Sequence, residues 1–157
     1  MTTLYLTQGI VGAGKSTWTR EQCRRNPKVK MVSTDSLRWM LNGKYEYVEG
    51  LDDTIDWGVV ALANGLIAAG FDCIIDCCNL SVDRRTFWRT NIADVDKCMA
   101  VVFPEKDKQW HIDRVMQSKK ALGFDRKYWE DVYDLHVKQI EPIKGDEFEV
   151  VKYEMEV

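Results

Sequence analysis

Apolar positions along the chain fall into short runs that alternate with stretches of helical period. "TTLYLTQ" at the start reads as a β-strand that runs straight into Gly9. A helix is predicted from Lys15 to about Arg25, closed by Asn26-Pro27. Val29–Ser33 reads as a second strand. Leu37, Met40 and Leu41 then share a helical face that Gly43 ends. "GKYEYVEG" is polar and aperiodic, a loop. A long helix is predicted from about Asp52 to Ala69 with Gly70 as its C-cap. "FDCIID" reads as a third strand, "SVDRRTFWRTNI" as a helix opened by Ser81, and "CMAVVF" as a fourth strand stopped by Pro104. Helices at about Lys106–Leu122 and Arg126–Ile140 precede a last strand in "EFEVVKYEMEV". Strands alternating with helices predict an α/β fold: a parallel sheet of about five strands with right-handed crossovers and helices on both faces. With no repeat, linker or low-complexity tract, residues 1–157 read as one domain.

Composition alters this picture little. The chain is 45% hydrophobic and 30% charged, an ordinary globular balance, and its six tryptophans read as packing. A net charge of −3 argues against coating of long duplex DNA. The charge is uneven, however: Met1–Lys44 carries eight basic residues against two acidic, and Glu141–Val157 six acidic against two basic. That asymmetry favours anions near the N-terminal part. Five cysteines, without paired spacing or a signal peptide, read as reduced thiols rather than a disulfide framework or a zinc site. No apolar run reaches the roughly 20 residues of a membrane span. A cytoplasmic protein is expected, with no membrane partner.

The chemistry begins at "GIVGAGKST", which fits G-x-x-x-x-G-K-[ST] and lies between a predicted strand and a predicted helix. Gly9, Gly12 and Gly14 permit a tight turn whose N–H groups, with those of Ala13 and Thr17, can surround a phosphate chain. The following helix adds its positive end. Lys15 can reach the β- and γ-phosphates and the Ser16 hydroxyl can ligate Mg²⁺. ATP and Mg²⁺ are the expected cofactors. "STDSLR" lies at the carboxyl end of the second strand, the sheet edge where ligands of open α/β folds gather. Asp35 there is either a helix N-cap or a general base, and Arg38 either a solvated cation or a phosphate ligand. Asp76, ending the third strand, is either a turn cap or a carboxylate that orients Mg²⁺. His111 and His136, isolated in sequence, read as surface or packing residues.

In order, "LTQGIVGAGKSTW", "STDSLRWML" with Tyr45 and Tyr47 beyond it, "IIDCCNLSVDRRTFW" and "IEPIKGDEFEVV" resemble the 5′-hydroxyl polynucleotide kinases of bacteriophage type, within the wider P-loop kinases. The resemblance spans nearly the whole chain. It implies a P-loop kinase fold with a helical lid, Asp35 as general base and Arg38 on the acceptor or transferring phosphate. Two departures stand out. Cys78 occupies a position usually Thr, and Cys77 one where some members carry the carboxylate. Lid arginines are expected after the fourth strand. Arg114 fits the first; the second falls near Ser118, beside Lys119 and Lys120, with Arg126 further on as a substitute. From Arg114 to Lys127 five basic residues stand against one acidic, a cationic lid.

The resemblance thus implies ATP-dependent transfer to the 5′-hydroxyl of DNA or RNA, in nucleic-acid repair. At 157 residues the expectation is a kinase domain without an accompanying phosphatase. Two other acceptors remain open: a nucleoside-like or sugar small molecule, and a hydroxymethyl group on a modified DNA base. A non-enzymatic ATP-dependent switch is the remaining reading.

Overall fold

A computed structural model describes residues 1–153. Five parallel strands are arranged β2-β3-β1-β4-β5: β1 (Thr3–Gln8), β2 (Val29–Ser33), β3 (Asp72–Asp76), β4 (Lys97–Val102) and β5 (Val150–Tyr153). The helices are α1 (Lys15–Arg25), α2 (Thr34–Asn42), α3 (Asp52–Ala68), α4 (Val82–Asn91), α5 (Lys108–Met116) and α6 (Arg126–Gln139). Central β1 places Leu4 beside Cys73 and Cys98, and Leu6 beside Ile75 and Ala100. All five residues of β3 are buried, as expected of a strand flanked on both edges and covered on both faces.

The pleat sorts side chains between two layers. Leu4, Leu6 and Ile75 enter one core with Ile55 and Val59 of α3 and Trp88 of α4. Tyr5 and Val101 face the other way, where Phe103, Ala13 and Trp18 of α1 meet them. A third cluster sits above the carboxyl ends of the strands. It joins Ile10 and Val11 to Tyr45, Leu80, Ile112, Val115, Trp129 and Tyr133.

Fully buried Arg85 ties α4 to the approach to β5. Its guanidinium grips Glu147 at 2.9 and 3.0 Å and donates to the carbonyls of Asn79 and Leu80. That pairing holds the Glu147 carboxyl below the usual range. Asn79, with φ 49°, donates to the Thr7 carbonyl at 2.7 Å and accepts from the Trp88 indole. Both residues fix the loop after β3 from below.

Three details differ from the expected elements. The Ser33 hydroxyl, not Asp35, caps α2 by accepting the Ser36 N–H at 3.2 Å. The single helix expected over Lys106–Leu122 divides into α5 and a short 3₁₀ turn, Lys119–Ala121. Ser118 interrupts it: the backbone is extended there and the hydroxyl donates to the Val115 carbonyl at 2.7 Å, in competition with the helical pattern. The last strand occupies Val150–Tyr153; of the rest of the expected run, residues 147–149 form a turn and bend before it, and residues 154–157 lie outside the described residues.

Candidate active site

The chain leaves β1 at Gln8 and turns through residues 9–14 into α1. Gly9 packs against Phe103, where a Cβ would come within 3.0 Å of that side chain. Gly12 and Gly14 take φ of 72° and 95°, the left-handed region that favours glycine. At Gly12 a Cβ would lie 2.3 Å from the His111 carbonyl oxygen, so the loop rests directly on the backbone of α5. Helix α1 has no side-chain cap and no acidic residue in its first turn, which leaves its positive end open to an anion. Buried Lys15 donates from Nζ to the Ile10 carbonyl at 2.9 Å.

Strand β2 ends opposite β3, with Ser33 in register with Asp76. Thr34–Asn42 therefore starts above the same edge as the phosphate loop, with Asp35 in its first turn. One Asp35 oxygen lies 3.4 Å from Arg38 Nη1, and the other pairs with Lys120 Nζ. Arg38 also bonds Asp52 at 2.8 Å and stacks 4.2 Å over the Tyr47 ring. Its Nε, buried, has no hydrogen-bond partner among the described residues. The Tyr45 and Tyr47 hydroxyls meet at 3.1 Å.

Buried Asp76 faces Ser16 and Lys15 from the end of β3. Burial pushes its carboxyl up; the Ser16 hydroxyl, donating to it, and the Lys15 ammonium pull it down. Among the described residues no group of three or more His, Cys, Asp or Glu side chains could hold a metal ion. Mg²⁺ needs no such cage, because it keeps waters and takes phosphate oxygens alongside one or two protein ligands. Ser16 and Asp76 fit that donor set. Cys77 and Cys78 line the same cleft. Arg84 clamps Asp56 through two bonds of 2.5 and 2.6 Å while lying 4.5 Å over the Trp88 ring.

These groups enclose a cleft of about 1320 Å³. Its wall carries Lys15, Arg20, Arg38, Arg84, Arg114, Lys119 and Lys120 against Asp35, Asp52, Asp56 and Asp76. The cleft is thus net cationic in a net acidic chain, a focusing field for a polyphosphate. Ala13, Gly12, Gly14, Ser16 and Thr17 line it too, whereas Gly9 does not. Arg114 lines it, with its guanidinium 4.8 Å over the Trp110 ring. Arg126 is not on that wall; it pairs with Asp113 at 3.0 Å and Glu130 at 3.6 Å. The lid cation that reaches the interior is Lys120, which also lies 5.2 Å over the Tyr45 ring. Burial, the largest single influence, lowers its pKa, but Asp35 together with Cys78 and Tyr47 raises it overall, so the ammonium is charged.

The structure adds three features to those expected from sequence: the Lys120–Asp35 pair, the Arg84–Asp56 clamp and the seating of both histidines against the phosphate loop. The basic run beside Ser118 pointed to the first. A pair such as Arg84–Asp56, 28 residues apart, leaves no local signature.

A parallel sheet with a phosphate loop after its central strand, and carboxylates at the ends of the strands beside it, defines a P-loop nucleotide-binding domain. More particularly, the chain belongs to the AAA_33 family of AAA domains, whose profile matches residues 4–132. No curated protein matches the chain by sequence. Among solved structures, it is similar to a chain of the Pnkp1/Rnl/Hen1 complex, with TM-score 0.65 and 23% identity over 72% of this chain and 38% of that one. It is similar also to a fungal RNA kinase, with TM-score 0.62 and 20% identity over 98% of this chain and 38% of that one. A gluconokinase from Sinorhizobium meliloti 1021 matches with TM-score 0.58 and 13% identity, over 96% of this chain and 81% of that one. The chain therefore spans less than two fifths of the first two. At these identities the likeness establishes the fold, a P-loop fold that kinases share. Among the described residues no helix is long and apolar enough to cross a membrane.

Proposed function

We propose that the chain is an ATP-dependent phosphotransferase whose acceptor is the 5′-hydroxyl of a polynucleotide, with Asp35 as general base. The observation that carries this reading is the position of Asp35: it lines the cleft that the phosphate loop opens into, with Arg38 and Lys120 on its two oxygens. A carboxylate so placed can take the proton of an attacking hydroxyl. The acceptor oxygen then bonds to the γ-phosphorus as the bond to the β-phosphate oxygen breaks, and ADP leaves with that electron pair.

The loop amides and Lys15 bind and orient the triphosphate. Lys15 exchanges its Ile10 carbonyl for phosphate oxygens. Ser16 and Asp76 are the residues that would hold Mg²⁺, which would supply neutralising charge to the triphosphate. Arg38, on the cleft wall, holds an acceptor phosphate, and Lys120 and Arg114 stabilise the transferring group from the lid. Lys120→Ala is expected to lower kcat about 100-fold, with a smaller change in ATP affinity, in single-turnover kinetics.

The likeness to a fungal RNA kinase and to a chain of the Pnkp1/Rnl/Hen1 complex supports a polynucleotide acceptor. One observation favours instead a small hydroxyl compound that carries no phosphate. Asp52 and Asp56 compensate Arg38 and Arg84, two of the cations on the cleft wall. Labelled ATP and Mg²⁺ offered with 5′-hydroxyl oligonucleotides, nucleosides and gluconate separate the two. The expected result is label on the oligonucleotide, with a KM that rises about fivefold to tenfold from about 50 to about 200 mM salt, as two phosphate contacts imply. Label confined to nucleosides or gluconate overturns the polynucleotide reading.

A further inference from the structure

The two histidines play no part in this chemistry, yet both close on one residue of the phosphate loop. The Val11 N–H donates to His136 Nδ1 at 3.0 Å. The Val11 carbonyl lies 2.9 Å from His111 Nδ1, which must therefore carry the proton. His111 Nε2 in turn accepts the Lys106 N–H at 3.0 Å. Every ring nitrogen with a partner has its role fixed, and fixed for a neutral ring. A protonated His136 would present Nδ1–H to the Val11 N–H, and a protonated His111 would present Nε2–H to the Lys106 N–H.

The surroundings keep both rings neutral. Burial lowers the His136 pKa to about 4; Lys15 and Lys120 push in the same direction and only Asp35 opposes them. Burial likewise lowers His111, helped by Lys15 and Lys106 and opposed by its Val11 bond and Glu105. His111 belongs to α5 and His136 to α6, the two helices that carry or flank the lid. Val11 is 3% exposed, so neither its N–H nor its carbonyl has ready access to water. Beside it, the His111 carbonyl fills the space where Gly12 would carry a Cβ.

We infer that His111 and His136 are positioning residues for the phosphate loop, holding both backbone polar groups of Val11 so that the loop and α5–α6 keep one arrangement around the phosphates of a nucleotide. The inference rests on the nucleotide-binding part of the proposed function, but not on the identity of the acceptor. Its reach is the affinity for Mg·ATP, through the backbone geometry of the loop.

His136 gives the sharper test, because asparagine and glutamine separate the acceptor's position from its chemistry. The Oδ1 of His136→Asn falls near the place of Nδ1 and can accept the Val11 N–H. His136→Gln carries the same amide one methylene too far. Mg·ATP affinity is measured by calorimetry at neutral pH, on chains checked for folding by circular dichroism. His136→Gln is expected to bind about tenfold more weakly than the parent, and His136→Asn within about threefold of it.

Thermal unfolding supplies a second readout. The folded pKa lies below the ordinary value near 6.5, so the unfolded chain binds the extra proton between about pH 6.5 and 4. The parent thus loses the His136 contribution as pH falls through that window, and His136→Asn does not. Equal affinities for Asn and Gln, or an unchanged pH dependence of unfolding in the Asn variant, would overturn the inference. A parent that binds acceptor-independent Mg·ATP normally while both variants match it leaves the proposed function standing and removes the clamp. A parent that binds no Mg·ATP removes both.

Discussion

Lys15→Ala is expected to reduce phosphoryl transfer about 1000-fold and to weaken Mg·ATP binding by about tenfold to a hundredfold. The buried ammonium already sits inside the loop, 2.9 Å from the Ile10 carbonyl, so bringing it to a phosphate requires an exchange of partners and little chain movement. Alanine removes a charge-assisted bond to the ground-state nucleotide and, with it, charge placed where the transition state develops more. The apo chain should still fold, though it loses one hydrogen bond to a carbonyl and a cation that offsets the charge of buried Asp76. A thermal shift separates these effects: Mg·ATP should raise the midpoint of the parent and leave that of the variant nearly still at the same concentration. Parent-like turnover by Lys15→Ala would remove the phosphate loop from the mechanism.

Asp35→Asn is expected to cost about 100-fold to 1000-fold in kcat while ATP affinity stays level or tightens. The amide has the size of the carboxylate but cannot take up the acceptor's proton. It also gives up the ion pairs to Arg38 and Lys120, and Asp35 and Lys120 are partly exposed, so their loss should move stability little. Lys120, released, is free to turn to the nucleotide. Weaker ATP binding in step with lost turnover would instead make Asp35 an organiser of the cleft. Full turnover would end its assignment as the base.

How far the sequence could be read depends on whether an interaction is local. β2 and the sheet class followed from apolar period, α1 from the stop signal Asn26-Pro27, and the phosphate loop from a motif whose glycines and lysine lie within seven residues. Asp35 and Asp76 were legible as strand-end carboxylates because parallel strands bring such ends to one edge. Which residue caps the helix could not be read from the same six residues. Both Ser33 and Asp35 are good caps, and only the extended backbone at Ser33 decides between them. The break at Ser118 turned on one hydroxyl bonding to Val115 rather than on any change of period. His111 and His136 looked isolated because their shared partner, Val11, lies 100 and 125 residues away. Arg126, plausible by charge alone, was drawn to Asp113 on α5 and to Glu130 one turn along its own helix.

The third hydrophobic cluster has a consequence for how this protein can be rebuilt. Ile10 and Val11 share it with Ile112, Val115, Trp129 and Tyr133, so the nucleotide-gripping loop and the helices above it are one packed body. A chimera that takes α5 and α6 from a relative inherits knobs without their sockets unless residues 10–12 travel with them. The unit of exchange in this domain is therefore discontinuous in sequence, and its boundaries follow packing rather than the order of the chain.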